Sequence, residues 1–131
     1  MPEGKKILLD TNFLLIPSQC GVDIFAEIER IIPSAYQLCI VDKTMEELKA
    51  IKKREEKKER QAAKIACELV ERYNIKIIKT ANESNADDAI VEFANPITTI
   101  VATQDAALKR RLRQKQVPML ALRQKKYVIM V

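Results

Sequence analysis

Short aliphatic runs and longer stretches of helical spacing take turns along this chain. The runs fall at residues 5–10, 37–41, 75–79 and 97–102, each rich in Ile, Val or Leu and each short enough for a strand. Between the first two, Ile24, Phe25, Ile28, Ile31 and Ile32 recur on one helical face, and Pro33 closes the pattern. From Thr44, the residues Met45, Leu48 and Ile51 give the next apolar stripe. Further helices are expected at about residues 61–73, 85–94 and 106–116, the second with Ile90, Phe93 and Ala94 inward, and closing strands at 118–122 and 127–131 as a hairpin. Strands joined through helices must run parallel, and only two glycines are available for irregular backbone. The expected architecture is a three-layer α/β/α sandwich around a mostly parallel sheet, a single domain over residues 1–131. A chain of that length buries roughly two-thirds of its unfolded surface, enough for one core.

Absences narrow the chemistry. The chain has no histidine, which removes an imidazole base, an imidazole metal ligand and the Ser/His/Asp triad. Cys20, Cys39 and Cys67 are scattered without a CxxC pair, so they read as buried reduced thiols rather than a zinc site. No apolar stretch approaches the roughly 20 residues that span a bilayer, and residues 1–6 are too polar and short to open a signal peptide. A cytoplasmic location without membrane attachment is expected. The net charge of +5 suits a polyanionic partner, with RNA as the candidate. The run "KKREEKKERQ" at residues 52–61 reads as a solvated helix, RNA contact being the sharper alternative.

In a parallel sheet the carboxyl ends of the strands share one edge, where open α/β folds place their ligands. Asp10 ends the first run, Glu47 lies one turn past the second, Asp87 opens the helix after the third, and Asp105 follows the fourth in "TIVATQDAALKRR". Helix capping offers each a duller reason to be there: Thr44 with Glu47 matches a capping box, Ser84 with Asp87 has the same spacing, and Asp105 fits an N-cap. Asp42 reads as the start of the following helix. Four carboxylates on one edge repel unless protonated or neutralised by a cation, and an oxygen-only set selects Mg2+ or Mn2+. Such ions support phosphodiester hydrolysis. Neighbours on a helix point about 100° apart, so Glu46 and Glu47 cannot both face this edge, nor can Asp87 and Asp88. Glu47 and Asp87 are preferred, with Asp88 retained as a second candidate ligand.

In their order along the chain, "DTN" at residues 10–12, "EEL" at 46–48, "ADDAIV" at 86–91 and "ATQD" at 102–105 resemble the four acidic motifs of the PIN domain family of metal-dependent ribonucleases. The resemblance spans nearly the whole chain. It implies a PIN-like fold with Asp10, Glu47, Asp87 and Asp105 as the catalytic, metal-binding set, and Asn12 and Thr103 at assisting polar positions. The stretch "VPMLALRQKKYVIMV", with "ADD" and "DAALKRRLR", looks most similar to the branch acting in small-subunit ribosomal RNA processing. The chain departs from that branch in its shortness, in lacking an extra zinc motif and in carrying Gln104 where Asn is commoner.

The function expected is therefore endonucleolytic hydrolysis of single-stranded or loop RNA. Lys109, Arg110, Arg111, Arg113 and Lys115 follow Asp105 on one helix, the first four as candidate RNA-binding residues, with Arg123, Lys125 and Lys126 close in sequence. Three Phe, three Tyr and no Trp make base stacking sparse, so backbone recognition is expected. The alternatives are a non-catalytic PIN-fold RNA-binding or assembly subunit and a toxin-type ribonuclease held by a protein inhibitor. The resemblance also implies a homodimer and a protein partner that supplies specificity or inhibition. An aspartate phosphatase of the haloacid dehalogenase type would need a second Asp where Asn12 stands, and a phosphoacceptor receiver would need an Asp near Lys79 and Thr80.

Overall fold

The computed structural model describes residues 4–81 and 85–131. From β1 (Lys5–Leu9) the chain passes through two short helices, α1 (Thr11–Leu14) and α2 (Ile16–Cys20), and then α3 (Ile24–Ile31) to reach β2 (Tyr36–Val41). The helices α4 (Asp42–Ile51) and α5 (Lys57–Arg72) lead to β3 (Lys76–Ile78), and α6 (Ala86–Phe93) leads to β4 (Thr99–Ala102). After α7 (Ala106–Gln114) comes β5 (Met119–Arg123), and β6 (Tyr127–Met130) closes the sheet as a hairpin.

The six strands lie in the order β3-β2-β1-β4-β5-β6. All neighbours are parallel except β5 and β6, so the expected sandwich and its closing hairpin both form. Chain direction reverses at the centre: from β1 the connections step one way to β2 and β3, and from β4 the other way to β5. The crevice above β1 and β4 is thus a topological switch point, bordered by Asp10 on one strand end and Thr103 on the other.

Right-handed crossovers stepping in opposite directions put their helices on opposite faces. The alternation of β1 shows both. Ile7 and Leu9 join Phe13, Ile28, Leu48 and Ala66 on the face covered by α1 to α5, while Leu8 joins Ile90, Leu108 and Leu112 under α6 and α7. These side chains are essentially inaccessible, and each fully buried Leu or Ile contributes about 1.5–3 kcal/mol.

Three local expectations change. α4 begins at Asp42, as expected, which puts Thr44 inside the helix; its buried hydroxyl has no hydrogen-bond partner among the described residues, so Thr44 and Glu47 do not form a capping box. The pairing of Ser84 with Asp87 lies outside the described residues; Asn85 caps α6 instead, its side-chain oxygen accepting from the Asp88 N–H at 2.8 Å. The charge run begins at the C-cap of α4, crosses a turn and enters the first turn of α5, which starts earlier than its apolar stripe. There the Arg60 guanidinium donates to the carbonyls of Arg54 and Glu55, and Arg54 pairs with Glu59 at 3.2 Å. Among the described residues, no helix is long and apolar enough to cross a membrane.

Candidate active site at the carboxyl edge of the sheet

Asp10 lies just beyond β1 in an extended conformation and caps α1, its Oδ1 accepting from the Thr11 N–H at 2.8 Å. Its other oxygen accepts from the Thr103 hydroxyl at 2.7 Å, across the seam between β1 and β4. Only 4 % of Asp10 is exposed. Burial pushes its carboxyl up to about 6, and the charges of Asp87 and Glu47 push the same way against the two hydrogen bonds.

The Thr103 oxygen also accepts from the Asp105 N–H at 3.0 Å, so one hydroxyl ties two of the four acids. Asp105 caps α7, as its sequence position suggested, with Oδ1 accepting from the Leu108 N–H at 2.9 Å. Capping and membership of the acidic edge are compatible, because a capping carboxylate keeps its second oxygen. Glu47, exposed on α4, accepts from the Thr11 hydroxyl at 2.7 Å.

Asp87 is half-buried at the start of α6. Its carboxyl is raised by burial first, then by the charges of Asp105 and Glu47, with Arg111 opposing them. Asp88 turns outward into an ion pair with Arg111 at 2.9 Å. The two neighbours therefore differ: Asp87 feels the other acids, and Asp88 is held by a cation.

The structure thus brings Asp10, Glu47, Asp87 and Asp105 within electrostatic reach around one crevice. Among the described residues, however, no three acidic or thiol side chains stand close enough to hold a metal ion. Uncompensated carboxylates keep their distance by mutual repulsion. The donor set nevertheless fits a hard divalent cation, being all oxygen with a net negative charge that Arg111 opposes at Asp87.

Asn12 lies beside these acids, its side-chain oxygen accepting from the Gln104 N–H at 3.1 Å. The cations expected to hold RNA have separate fates. Arg111 is engaged by Asp88, and Lys115 donates to the carbonyls of Val91 and Glu92 at the end of α6. Lys109 sits in the first turn of α7 and is partly exposed, and Arg110 and Arg113 are exposed.

One participant was missed in the sequence. Thr11 bridges Asp10 and Glu47 by its N–H and its hydroxyl, and its place inside "DTN" was the available signal. Asp42 accepts from both the N–H and the hydroxyl of Thr80, at 3.2 and 2.5 Å, tying β3's exit to α4. The Thr80 hydroxyl holds the Asp42 carboxyl below its usual range.

Residues 7–125 match a family model described as a PIN like domain. The chain is similar to ribonuclease VapC4 of Methanocaldococcus jannaschii, 34% identical over 93% of each chain. It is also similar to ribonuclease VapC9 of Archaeoglobus fulgidus, 27% identical over 92% of this chain and 85% of the other. Among solved structures, the PIN domain endonuclease Utp24 superposes with a TM-score of 0.77 at 25% identity, covering 95% of this chain and 90% of that one. A domain of a functionally unknown M. jannaschii protein shares the fold at 16% identity, with a TM-score of 0.61 over 92% of each chain.

Proposed function

This chain belongs to the PIN-like domain family, and on that premise we propose that it is a divalent-metal-dependent endoribonuclease acting at the acidic edge. The observation that carries the proposal is the tie from Thr103 to both Asp10 and Asp105, which holds two acids at the switch point, within electrostatic reach of Asp87 and Glu47. RNA is the substrate indicated by the two relatives named as ribonucleases, and the likeness to Utp24 supports an endonucleolytic cut.

In this mechanism Asp10, Glu47, Asp87 and Asp105 would hold Mg2+ or Mn2+, with Asp88 remaining paired to Arg111. Such a cation, when bound, would supply Lewis-acid activation of water and charge neutralisation at the leaving oxygen. Asp10 is fixed by hydrogen bonds to both oxygens and projects from a strand end, so its orientation needs little reorganisation. Thr11 sets Glu47, and Asn12 sets the backbone at Gln104, just before Asp105. Lys109, Arg110 and Arg113 contribute positive potential along α7 for the phosphate chain. The C-terminal motifs make a ribosomal RNA precursor the first substrate to try.

The test compares the wild-type chain with Asp10→Asn on single-stranded and precursor ribosomal RNA, with Mn2+, with Mg2+ and with chelator. Cleavage should require the cation and fall by at least about a hundredfold in the variant, the scale of losing one charge-stabilising group. Unchanged manganese-dependent cleavage by folded Asp10→Asn would overturn the assignment, and RNA binding without turnover would return the protein to a non-catalytic RNA-binding role.

A further inference from the structure

We propose that the turn between β5 and β6 grips the RNA beside the acidic edge, with Arg123, Lys125 and Lys126 contacting its phosphates. β5 runs parallel to β1 through β4, so its end at Arg123 emerges on the same edge as Asp10. Residues 123–126 are all exposed, and none of their three cations enters an ion pair among the described residues.

The turn is fastened to the active edge by Gln104, the residue between Thr103 and Asp105. Its side-chain amide donates to the Leu122 carbonyl at 3.2 Å and accepts from the Leu122 N–H at 2.6 Å, imitating a strand partner. Its own backbone N–H is held by Asn12. Gln104 therefore links the acidic motifs to the basic turn through a short run of hydrogen bonds. An Asn at this position has a side chain one methylene shorter for the same double contact.

Backbone conformation gives a second, independent sign. The Lys126 N–H donates to the Arg123 carbonyl at 3.0 Å, closing a four-residue turn. Its central residues, Gln124 and Lys125, have φ values of 54° and 55°. Positive φ at both central positions is the type I′ pattern, for which Asn-Gly or Gly is favoured. Two long side chains in the left-handed region are strained, and strain kept at an exposed position points to a use for those side chains. By contrast, α7 leads its basic run away from the edge: Arg113 lies eight residues past Asp105, about 12 Å down the helix axis.

Taken with the ribonuclease assignment, on which it rests, this makes the turn the positioning element and the four acids the cutting element. The experiment measures two quantities on the full chain with a short labelled single-stranded RNA. One is binding in chelator as a function of salt; the other is cleavage in Mn2+, resolved into kcat and KM. The variants are Arg123→Ala/Lys125→Ala/Lys126→Ala, the conservative Lys125→Arg/Lys126→Arg, and Gln124→Asn/Lys125→Gly, which relaxes the turn and deletes one charge.

The triple variant should bind at least about tenfold more weakly, with KM raised to match, kcat within about threefold and a salt slope smaller by about 2. The arginine pair should bind as wild type. The relaxed turn should melt at a higher temperature and still bind RNA less well. Wild-type cleavage with unaltered KM and salt slope in the triple variant would overturn this inference and leave the nuclease assignment standing. Binding lost in the triple variant, in a chain that never cleaves, would do the reverse. A wild-type chain that neither binds nor cleaves would overturn both.

Discussion

The hydroxyl of Thr103 donates to Oδ2 of Asp10 at 2.7 Å and accepts from the N–H of Asp105 at 3.0 Å. Residues far apart in sequence are thereby locked across the β1–β4 seam, and both polar groups of that hydroxyl are used in a fully buried position. Thr103→Val keeps the shape and deletes the hydroxyl. The buried Asp10 oxygen and the Asp105 N–H lose their partner, and stability should fall by about 1–3 kcal/mol in urea unfolding. Thr103→Ser should restore most of it. Cleavage should fall with Thr103→Val well beyond what the stability loss explains.

Asp10 also sets a pH dependence with a definite sign. Its folded carboxyl titrates at about 6, against 3.8 for the ordinary group. Between those values the folded chain keeps a proton that the unfolded chain has released, so stability falls as pH rises through this window. The full penalty above the window is about 3 kcal/mol. Asp87 is raised as well and acts in the same sense. Asp10→Asn should therefore unfold at higher urea than wild type at pH 8 and match it at pH 4, while losing activity. Equal stability of the two proteins at pH 8 would show that Asp10 carries no such penalty.

A divalent cation at the proposed site should relieve the same repulsion. At a free Mn2+ concentration a hundred times its dissociation constant, the folded state gains about 2.7 kcal/mol. The gain should be larger at pH 7.5 than at pH 5, because Asp10 must give up its proton to ligate. Thermal melts of the wild type, Asp10→Asn and Asp105→Asn with and without Mn2+ check this, and a Tm shift that survives in both variants would place the ion elsewhere.

Much of this arrangement was legible because its causes are periodic or positional. Alternating strand and helix patterns fix a parallel sheet, and a parallel sheet gathers its strand ends, so Asp10, Glu47, Asp87 and Asp105 could be put on one edge from spacing alone. What spacing could not show is side-chain pairing between distant elements. The bond from Gln104 to Leu122, the outward pairing of Asp88 with Arg111 and the tie from Asp42 to Thr80 all depend on which helix packs beside which strand. The short helices α1 and α2 passed unnoticed because four or five residues hold little more than one turn of periodicity.

The last prediction concerns the open edge of the sheet. Among the described residues β6 pairs only with β5, and Val128 directs its backbone groups toward α3 instead of a further strand. Its N–H donates to Oε1 of Glu27 at 2.9 Å, and its carbonyl accepts from the Arg30 guanidinium at 3.1 Å. Glu27 and Arg30 pair with each other at 2.9 Å, so one ion pair on α3 satisfies both free groups of an edge residue. Unpaired edge groups are templates for another strand, and covering them discourages self-association. Glu27→Ala/Arg30→Ala should therefore lower the melting temperature and increase concentration-dependent association, read by light scattering. The pH sense is opposite to that of Asp10: Arg30 holds the Glu27 carboxyl below its usual range, so its stabilisation is present above the ordinary carboxylate pKa and is lost as pH falls through the folded value. Wild-type association should rise in acid accordingly, and a double variant that associates no more than the wild type at every pH would show that the edge needs no such cover.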